Sequence, residues 1–198
     1  MTISISCATA EKKALRKTIK KHISQMDENY LETSNNLIYR NIMTLPEVRA
    51  CDRMLIYCSM GREVDTRRLI DTMFEMGKVV ALPVCEGKGI MHFSVLNPNG
   101  QKIEGMYGIL EPAADAEIIT PKDGDVIVVP ALTFDRKGYR LGKGSGYYDR
   151  FLIKRDFFSI GLARDRLLCD SVPTEDHDRK VDCLVTEKNI LRLPNELT

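Results

Sequence analysis

The sequence predicts an α/β domain built on a largely parallel sheet, and three observations lead there. Short apolar runs recur at Met54–Cys58, Val79–Val84, Met91–Leu96, Val126–Val129, Phe158–Ala163 and Cys183–Thr186, each with the length and composition of a buried strand. Stretches of helical period lie among them, and strands alternating with helices give helices packed on the faces of a sheet. The 198 residues hold no internal repeat, low-complexity tract or clear linker, so one domain over residues 1–198 is expected.

The elements follow in order. Leu15, Ile19, Ile23 and Met26 are spaced four, four and three apart, which puts them on one face of a first helix. Lys12, Arg16 and Lys20 repeat on another face. Asp27 predicts the N-cap of a second helix carrying Leu31, Ile38, Ile42 and Leu45, with Pro46 near its end. Asp65 or Thr66 caps a third through Leu69, Ile70, Met73 and Phe74, and Gly77 stops it. Glu86-Gly87-Lys88-Gly89 reads as a turn between two strands. Asn97–Lys122 is rich in Gly, Pro and acidic residues and reads as loop with some local structure. A last helix follows Gly146 through Tyr148, Phe151 and Leu152. Ligands in open α/β sheets sit beyond the carboxyl ends of strands, which points to the loops after Cys58, Val129 and Ala163.

Charge narrows the function. The chain has 29 Lys and Arg against 28 Asp and Glu, a net charge of +1. That balance gives no broad basic surface for nucleic acid or membrane, so an anion site must be a local cluster. No window approaches the roughly 20 apolar residues of a membrane span, and a soluble, cytoplasmic monomer is expected. Cys7, Cys51, Cys58, Cys85, Cys169 and Cys183 include no C-x-x-C pair, which argues against a structural zinc site. Buried free thiols in a reducing compartment are expected instead.

The most informative stretch is PALTFDRKGYRLGKGSGYYDRFL, from Pro130 to Leu152. Gly138, Gly142, Gly144 and Gly146 fall within it, with Arg140 and Lys143 between them. Residues without Cβ let backbone N–H groups approach an anion, and a helix starting near Gly146 aims its positive end there. The stretch is neither a Walker A loop, being one residue short with Gly144 where the hydroxyl belongs, nor a dinucleotide fingerprint, its spacing being G-x-G-x-G. Read alone, it is either a polyphosphate cradle or a mobile surface loop with incidental charges. Asp149 is a natural Mg²⁺ ligand beside such a loop, or an ordinary first-turn aspartate. Tyr147 and Tyr148 either stack on a flat heterocycle or pack in the core.

The run Leu141-Gly142-Lys143-Gly144-Ser145-Gly146-Tyr147-Tyr148-Asp149-Arg150 resembles the signature of the 5-formyltetrahydrofolate cyclo-ligases. Lys12-Lys13-Ala14-Leu15-Arg16 resembles the family's amino-terminal segment that contacts ATP. Ser59–Thr66 resembles its folate-holding segment, with Glu63 as the substrate carboxylate. Gly108-Ile109 with Glu111-Pro112 resembles a G-I-x-E-P element. Glu175-Asp176-His177-Asp178, followed by Lys180-Val181-Asp182, resembles its carboxyl-terminal acidic element. The likeness spans nearly the whole chain. Ser145 stands where glycine is frequent in the family, and Cys58 where a larger aliphatic is common.

The resemblance implies a three-layer α/β/α fold of the NagB/ribose-phosphate-isomerase/CoA-transferase type. It implies ATP-dependent cyclisation of 5-formyltetrahydrofolate to 5,10-methenyltetrahydrofolate, with ADP and phosphate released. The γ-phosphate goes to the formyl oxygen, N10 attacks the activated carbon, and phosphate leaves. Such chemistry asks for positioning and charge neutralisation rather than a protein nucleophile. It implies ATP contacts from Lys12, Lys13, Ala14, Leu15 and Arg16, and from Arg140, Leu141, Gly142, Lys143, Gly144, Ser145, Gly146, Tyr147 and Tyr148. Catalytic roles fall to Arg140, Lys143 and Tyr148. Folate contacts fall to Cys58, Met60, Glu63, Tyr147 and Tyr148, and Mg²⁺ to Asp149 and Asp178. His177 reads as a surface histidine at the edge of the site rather than a general base. Two alternatives stand beside this reading: a sugar-phosphate isomerase or transferase of the same fold class, and a non-catalytic folate-binding relative. Both differ from it in lacking ATP turnover.

Overall fold

The computed structural model describes residues 7–87, 89–98, 103–104, 110–153 and 157–194. The chain opens with helices α1 (Cys7–Ser24), α2 (Glu28–Ile42) and α3 (Pro46–Ala50). Asp27 caps α2 as expected, accepting the Tyr30 N–H at 2.7 Å. Pro46 does not close that helix. It opens α3 at the first helical position, behind Leu45, where its missing N–H would have had no intrahelical partner and its fixed φ suits a helix start.

Strand β1 (Arg53–Ile56) is followed by α4 (Arg67–Glu75), β2 (Val79–Gly87) and β3 (Ile90–Val95). Helix α4 ends as predicted, with the Gly77 N–H on the Phe74 carbonyl and the Lys78 N–H on the Met73 carbonyl, both at 2.9 Å. Within Asn97–Lys122 lie three two-residue strands, β4 (Ile103–Glu104), β5 (Leu110–Glu111) and β6 (Ile118–Ile119). Then come β7 (Val126–Val129), β8 (Thr133–Phe134), β9 (Arg140–Leu141), α5 (Tyr147–Phe151), β10 (Phe158–Leu162), β11 (Cys183–Val185) and β12 (Ile190–Arg192).

The main sheet runs β12-β11-β10-β7-β1-β2-β3-β6. Its centre is parallel, from β11 through β2, and both margins are antiparallel. The apolar runs sort by alternation, as period 2 requires. Met54, Ile56, Val80, Leu82, Val126, Val128, Ile160, Cys183 and Val185 face a core that holds Ile38 and Ile42 of α2, Val48 of α3, and Leu69, Ile70 and Met73 of α4. Leu55, Ala81, Ile127, Val129 and Leu184 face the opposite core with Phe134 and Leu152, against which Tyr148 and Phe151 of α5 pack. These two cores give the layered α/β arrangement. The second is covered mostly by α5 and the β8–β9 hairpin. Phe134 of that hairpin lies so close to Gly161 that a Cβ there would meet its ring at 2.6 Å, so β10 needs glycine at that point.

Candidate active site

The loops that leave β1, β7 and β10 at their carboxyl ends enclose a cleft of about 310 Å³. Met60 and Glu63 line it after β1, Ala131 and Leu132 after β7, and Ala163 and Arg164 after β10. These are the three loops singled out by the strand-end rule. Lys20, Ile23 and Ser24 of α1 close one side, and Lys143 reaches in from the glycine-rich loop.

The loop after β1 is braced on itself. The Met60 N–H donates to Glu63 Oε2 at 2.9 Å, and the Glu63 N–H returns to the Met60 carbonyl at 3.1 Å. Thr66 Oγ1 donates to the Tyr57 carbonyl at 2.7 Å and accepts the Ser59 N–H at 3.1 Å. Burial pushes the Asp65 carboxyl up, but hydrogen bonds from Arg67 and Ser59 outweigh it and hold the group below its ordinary value. The other oxygen of Glu63, Oε1, meets Lys143 Nζ at 2.6 Å. The expected folate carboxylate and the expected phosphate lysine are therefore in contact at the mouth of the cleft.

On its other side the glycine-rich loop is bracketed by α1 and the carboxyl-terminal acidic element. Arg16 Nε donates to the Gly142 carbonyl at 2.9 Å. Lys12, only 7% exposed, meets Asp178 Oδ2 at 2.6 Å and Glu175 Oε2 at 3.2 Å. Lys13 and Ala14 are exposed on α1, and Leu15 is half-buried. Arg140, 6% exposed, pairs with Asp149 and donates to the Arg179 carbonyl at 2.8 Å. Burial lowers its pKa, against the pull of the nearby Asp149 and Asp178. Leu141 is fully buried in β9. Gly144 and Gly146 adopt φ of 116° and 70°, a region in which a Cβ is strained. Gly146 precedes α5 with no side-chain cap. Arg150 then ties the loop down, donating to the carbonyls of Ser145, Gly146 and Gly89, each at 3.2 Å.

Tyr148 settles half of its ambiguity. Its ring packs edge-on to Phe93, with centroids 6.4 Å apart. Its hydroxyl is buried without a hydrogen-bond partner among the described residues. Burial drives its pKa far upward, as do nearby Cys85 and Glu63, so the proton stays on. An unsatisfied buried hydroxyl costs roughly 1–3 kcal/mol, yet neither Tyr148 nor Tyr147 is among the residues that line the cleft. Cys58 packs against the helix-side core, not in the cleft lining, while Met60 and Glu63 do line it. Tyr147 is half-buried at the start of α5. Gly108 and Ile109 lie outside the described residues, whereas Glu111 is buried and accepts the Cys85 N–H at 3.4 Å. His177 is largely exposed, 3.9 Å from Glu175.

Sequence reasoning did not single out Arg62 or Arg164. Arg62 Nη1 donates to the Met26 carbonyl at 2.5 Å and to that of Ile23 at 3.3 Å. The one signal for Arg164 was its place just past the Phe158–Ala163 run, since its residue type alone says nothing of its burial. Among the described residues, no three His, Cys, Asp or Glu side chains converge as a cation site, and no helix is long and apolar enough to cross a membrane.

Fold and cleft together define a layered α/β protein with a cleft at a topological switch of its sheet, where small-molecule sites of such folds lie, bordered by a cationic glycine-rich loop. A sequence model of the 5-formyltetrahydrofolate cyclo-ligase family matches residues 8–187, and the chain belongs to that family. It is 37% identical over 142 residues to the 5-formyltetrahydrofolate cyclo-ligase of Mycolicibacterium smegmatis, covering 67% of this chain and 72% of that one. With the Escherichia coli K12 enzyme of the same name it shares 31% over 155 residues, covering 75% and 85%. The solution structure of Aquifex aeolicus 5,10-methenyltetrahydrofolate synthetase superposes with a TM-score of 0.78 at 33% identity, covering 94% of this chain and 95% of that one. Membership in this family displaces the sugar-phosphate isomerase alternative.

Proposed function

We propose that this chain converts 5-formyltetrahydrofolate and ATP into 5,10-methenyltetrahydrofolate, ADP and phosphate, with pterin on Glu63 and triphosphate on the glycine-rich loop. The observation that carries the assignment of residues is the 2.6 Å contact between Glu63 and Lys143 at the mouth of the cleft. It supports two substrates meeting where those two side chains now meet each other.

The formyl group is amide-like, so its oxygen is a poor leaving group. Transfer of the γ-phosphoryl group to that oxygen makes it a good one. N10 then attacks the formyl carbon and loses its proton, the C–O bond breaks, and the oxygen departs with inorganic phosphate. The loop backbone and Lys143 hold the triphosphate against the formyl oxygen, which is the positioning and charge neutralisation that phosphoryl transfer needs. Lys143 is 60% exposed, so it leaves Glu63 at little cost. The Tyr148 hydroxyl donates to a ligand oxygen, and Arg140 adds its field from below the loop. The Glu63 carboxylate accepts the ring N–H and amino donors of the pterin.

Mg²⁺ suits the donor chemistry, because this ion binds through one or two carboxylates completed by substrate phosphates rather than in an all-protein cage. Asp149 and Asp178, both within the field of Arg140, would hold it, and it would neutralise charge on the transferring phosphoryl group. The near-zero net charge offers nucleic acid and membrane surfaces no broad electrostatic hold, and a cytoplasmic monomer acting on small molecules alone completes this reading.

The test is direct. Mixing the protein with 5-formyltetrahydrofolate, Mg²⁺ and ATP should raise the near-ultraviolet absorbance of methenyltetrahydrofolate, with one ADP formed per product. Binding of the folate with no ATP-dependent absorbance change would instead mark a non-catalytic relative.

A further inference from the structure

We infer that Arg164 is a positioning residue for the substrate carboxylate, its buried guanidinium fixing the backbone of the Glu63 loop from the end of β10. The inference rests on the assignment of Glu63 to the pterin.

Arg164 is 2% exposed. Its Nε donates to Ser34 Oγ at 3.0 Å, and Nη1 to the Arg62 carbonyl at 2.9 Å. Nη2 donates to Asn35 Oδ1 at 2.8 Å and to the Glu63 carbonyl at 3.2 Å. One planar fork thus joins three parts of the fold: β10, helix α2 and the loop after β1. Among the described residues no carboxylate is in ion-pair contact with it. A buried cation satisfied only by neutral oxygens is expensive to keep, and a neutral side chain could plug the same gap in a purely structural joint. What a neutral side chain or a lysine lacks is several rigidly oriented donors in one plane.

The target of those donors is specific. They grip the two carbonyls on either side of the Glu63 backbone nitrogen and α-carbon. Asn35 Oδ1 also accepts the Asp65 N–H at 3.2 Å, so the same α2 amide holds the loop beyond Glu63. The Met60 N–H already fixes Oε2. With the main chain pinned on both sides and Oε2 held, the Glu63 carboxylate keeps little freedom. A carboxylate that must match paired donors on a flat ring needs placement to within a fraction of an ångström. Among the described residues, none of these hydrogen bonds reaches the glycine-rich loop.

The experiment is steady-state kinetics on R164K, N35A, E63Q and R164K/E63Q, each substrate varied with the other saturating and folding checked by thermal melting. R164K should raise the KM for 5-formyltetrahydrofolate by about tenfold or more while leaving the KM for ATP within about twofold, since misplacement of this order is costly to one substrate only. N35A, the gentler change, should move the same KM in the same direction by about threefold. In the E63Q background R164K should add nothing, because its effect passes through that carboxylate. Equal rises in both KM values, or full additivity with E63Q, would overturn the role. So would an R164K variant indifferent to folate while E63Q is impaired. An E63Q variant with unchanged folate KM would remove the site reading itself, and this role with it.

Discussion

The two sides of the glycine-rich loop are held in opposite ways. Toward α1 and the carboxyl-terminal segment two buried cations are already paired, Lys12 with Asp178 and Glu175, and Arg140 with Asp149. Toward the cleft, among the described residues, the tie is a largely exposed lysine on Glu63. Exposed pairs contribute about 0–1 kcal/mol, whereas breaking a buried one leaves a stranded charge. The buried side should therefore act as scaffold that shapes the loop, and the exposed side as the part that exchanges one partner for another. This divides the cations that the motifs grouped together. On the proposed function Lys143 is the cation that changes partners, while Lys12 and Arg140 hold carboxylates beside the loop.

The difference can be broken by substitution. R140M should cost about 2–3 kcal/mol of folding free energy, because Asp149, though 24% exposed, loses its charged hydrogen-bond partner. Urea denaturation measures this, and a loss below about 0.5 kcal/mol would mean the buried pair is not a scaffold. Y148F should leave stability unchanged or raise it by up to about 1 kcal/mol, since it removes an unsatisfied hydroxyl. It should lower kcat at the same time, and a variant with full turnover would show that the hydroxyl donates to no ligand. The smallest effect lies far from the site. Arg192 donates to Glu47 at 2.6 and 3.0 Å and holds that carboxyl below its ordinary value. A depressed carboxyl stabilises the fold above its unfolded pKa, and that contribution fades as pH falls through the folded value. E47Q should therefore lose less than about 1 kcal/mol at pH 7, with the gap from the parent protein closing below about pH 4. A gap that persists into acid would place its cause elsewhere than in this pair.

Much of the fold was legible because buried strands announce themselves. Val126–Val129 is β7 residue for residue, and the alternation of strand and helix carried the layering. The misses have physical reasons. Pro46 can follow a helix or begin one, and only the turn made by Thr44 and Leu45 decides that it begins α3. Strand β12 and the two-residue strands β4, β5, β6, β8 and β9 are too short for a period to show. In the site, the loop motif was visible because glycines and cations crowd together in sequence. The Lys12–Asp178 bracket joins residues 166 positions apart, and Arg164 joins α2 to the Glu63 loop across more than 100. Pairings of that kind follow from the topology of the sheet and leave no local pattern.

Lys143 and Glu63 divide the two substrates between them in the proposed function, and one paired measurement tests that division most directly. Initial rates are taken for K143A and E63Q with each substrate varied in turn. K143A should lower kcat/KM for ATP by about 100-fold, near 2.7 kcal/mol. Its equilibrium binding of 5-formyltetrahydrofolate should be unchanged or up to about fivefold tighter, since Glu63 is released from its partner. E63Q should show the reverse, a raised KM for the folate with ATP use intact. If both variants weaken both substrates to the same degree, the two side chains do not serve separate substrates, and the division fails.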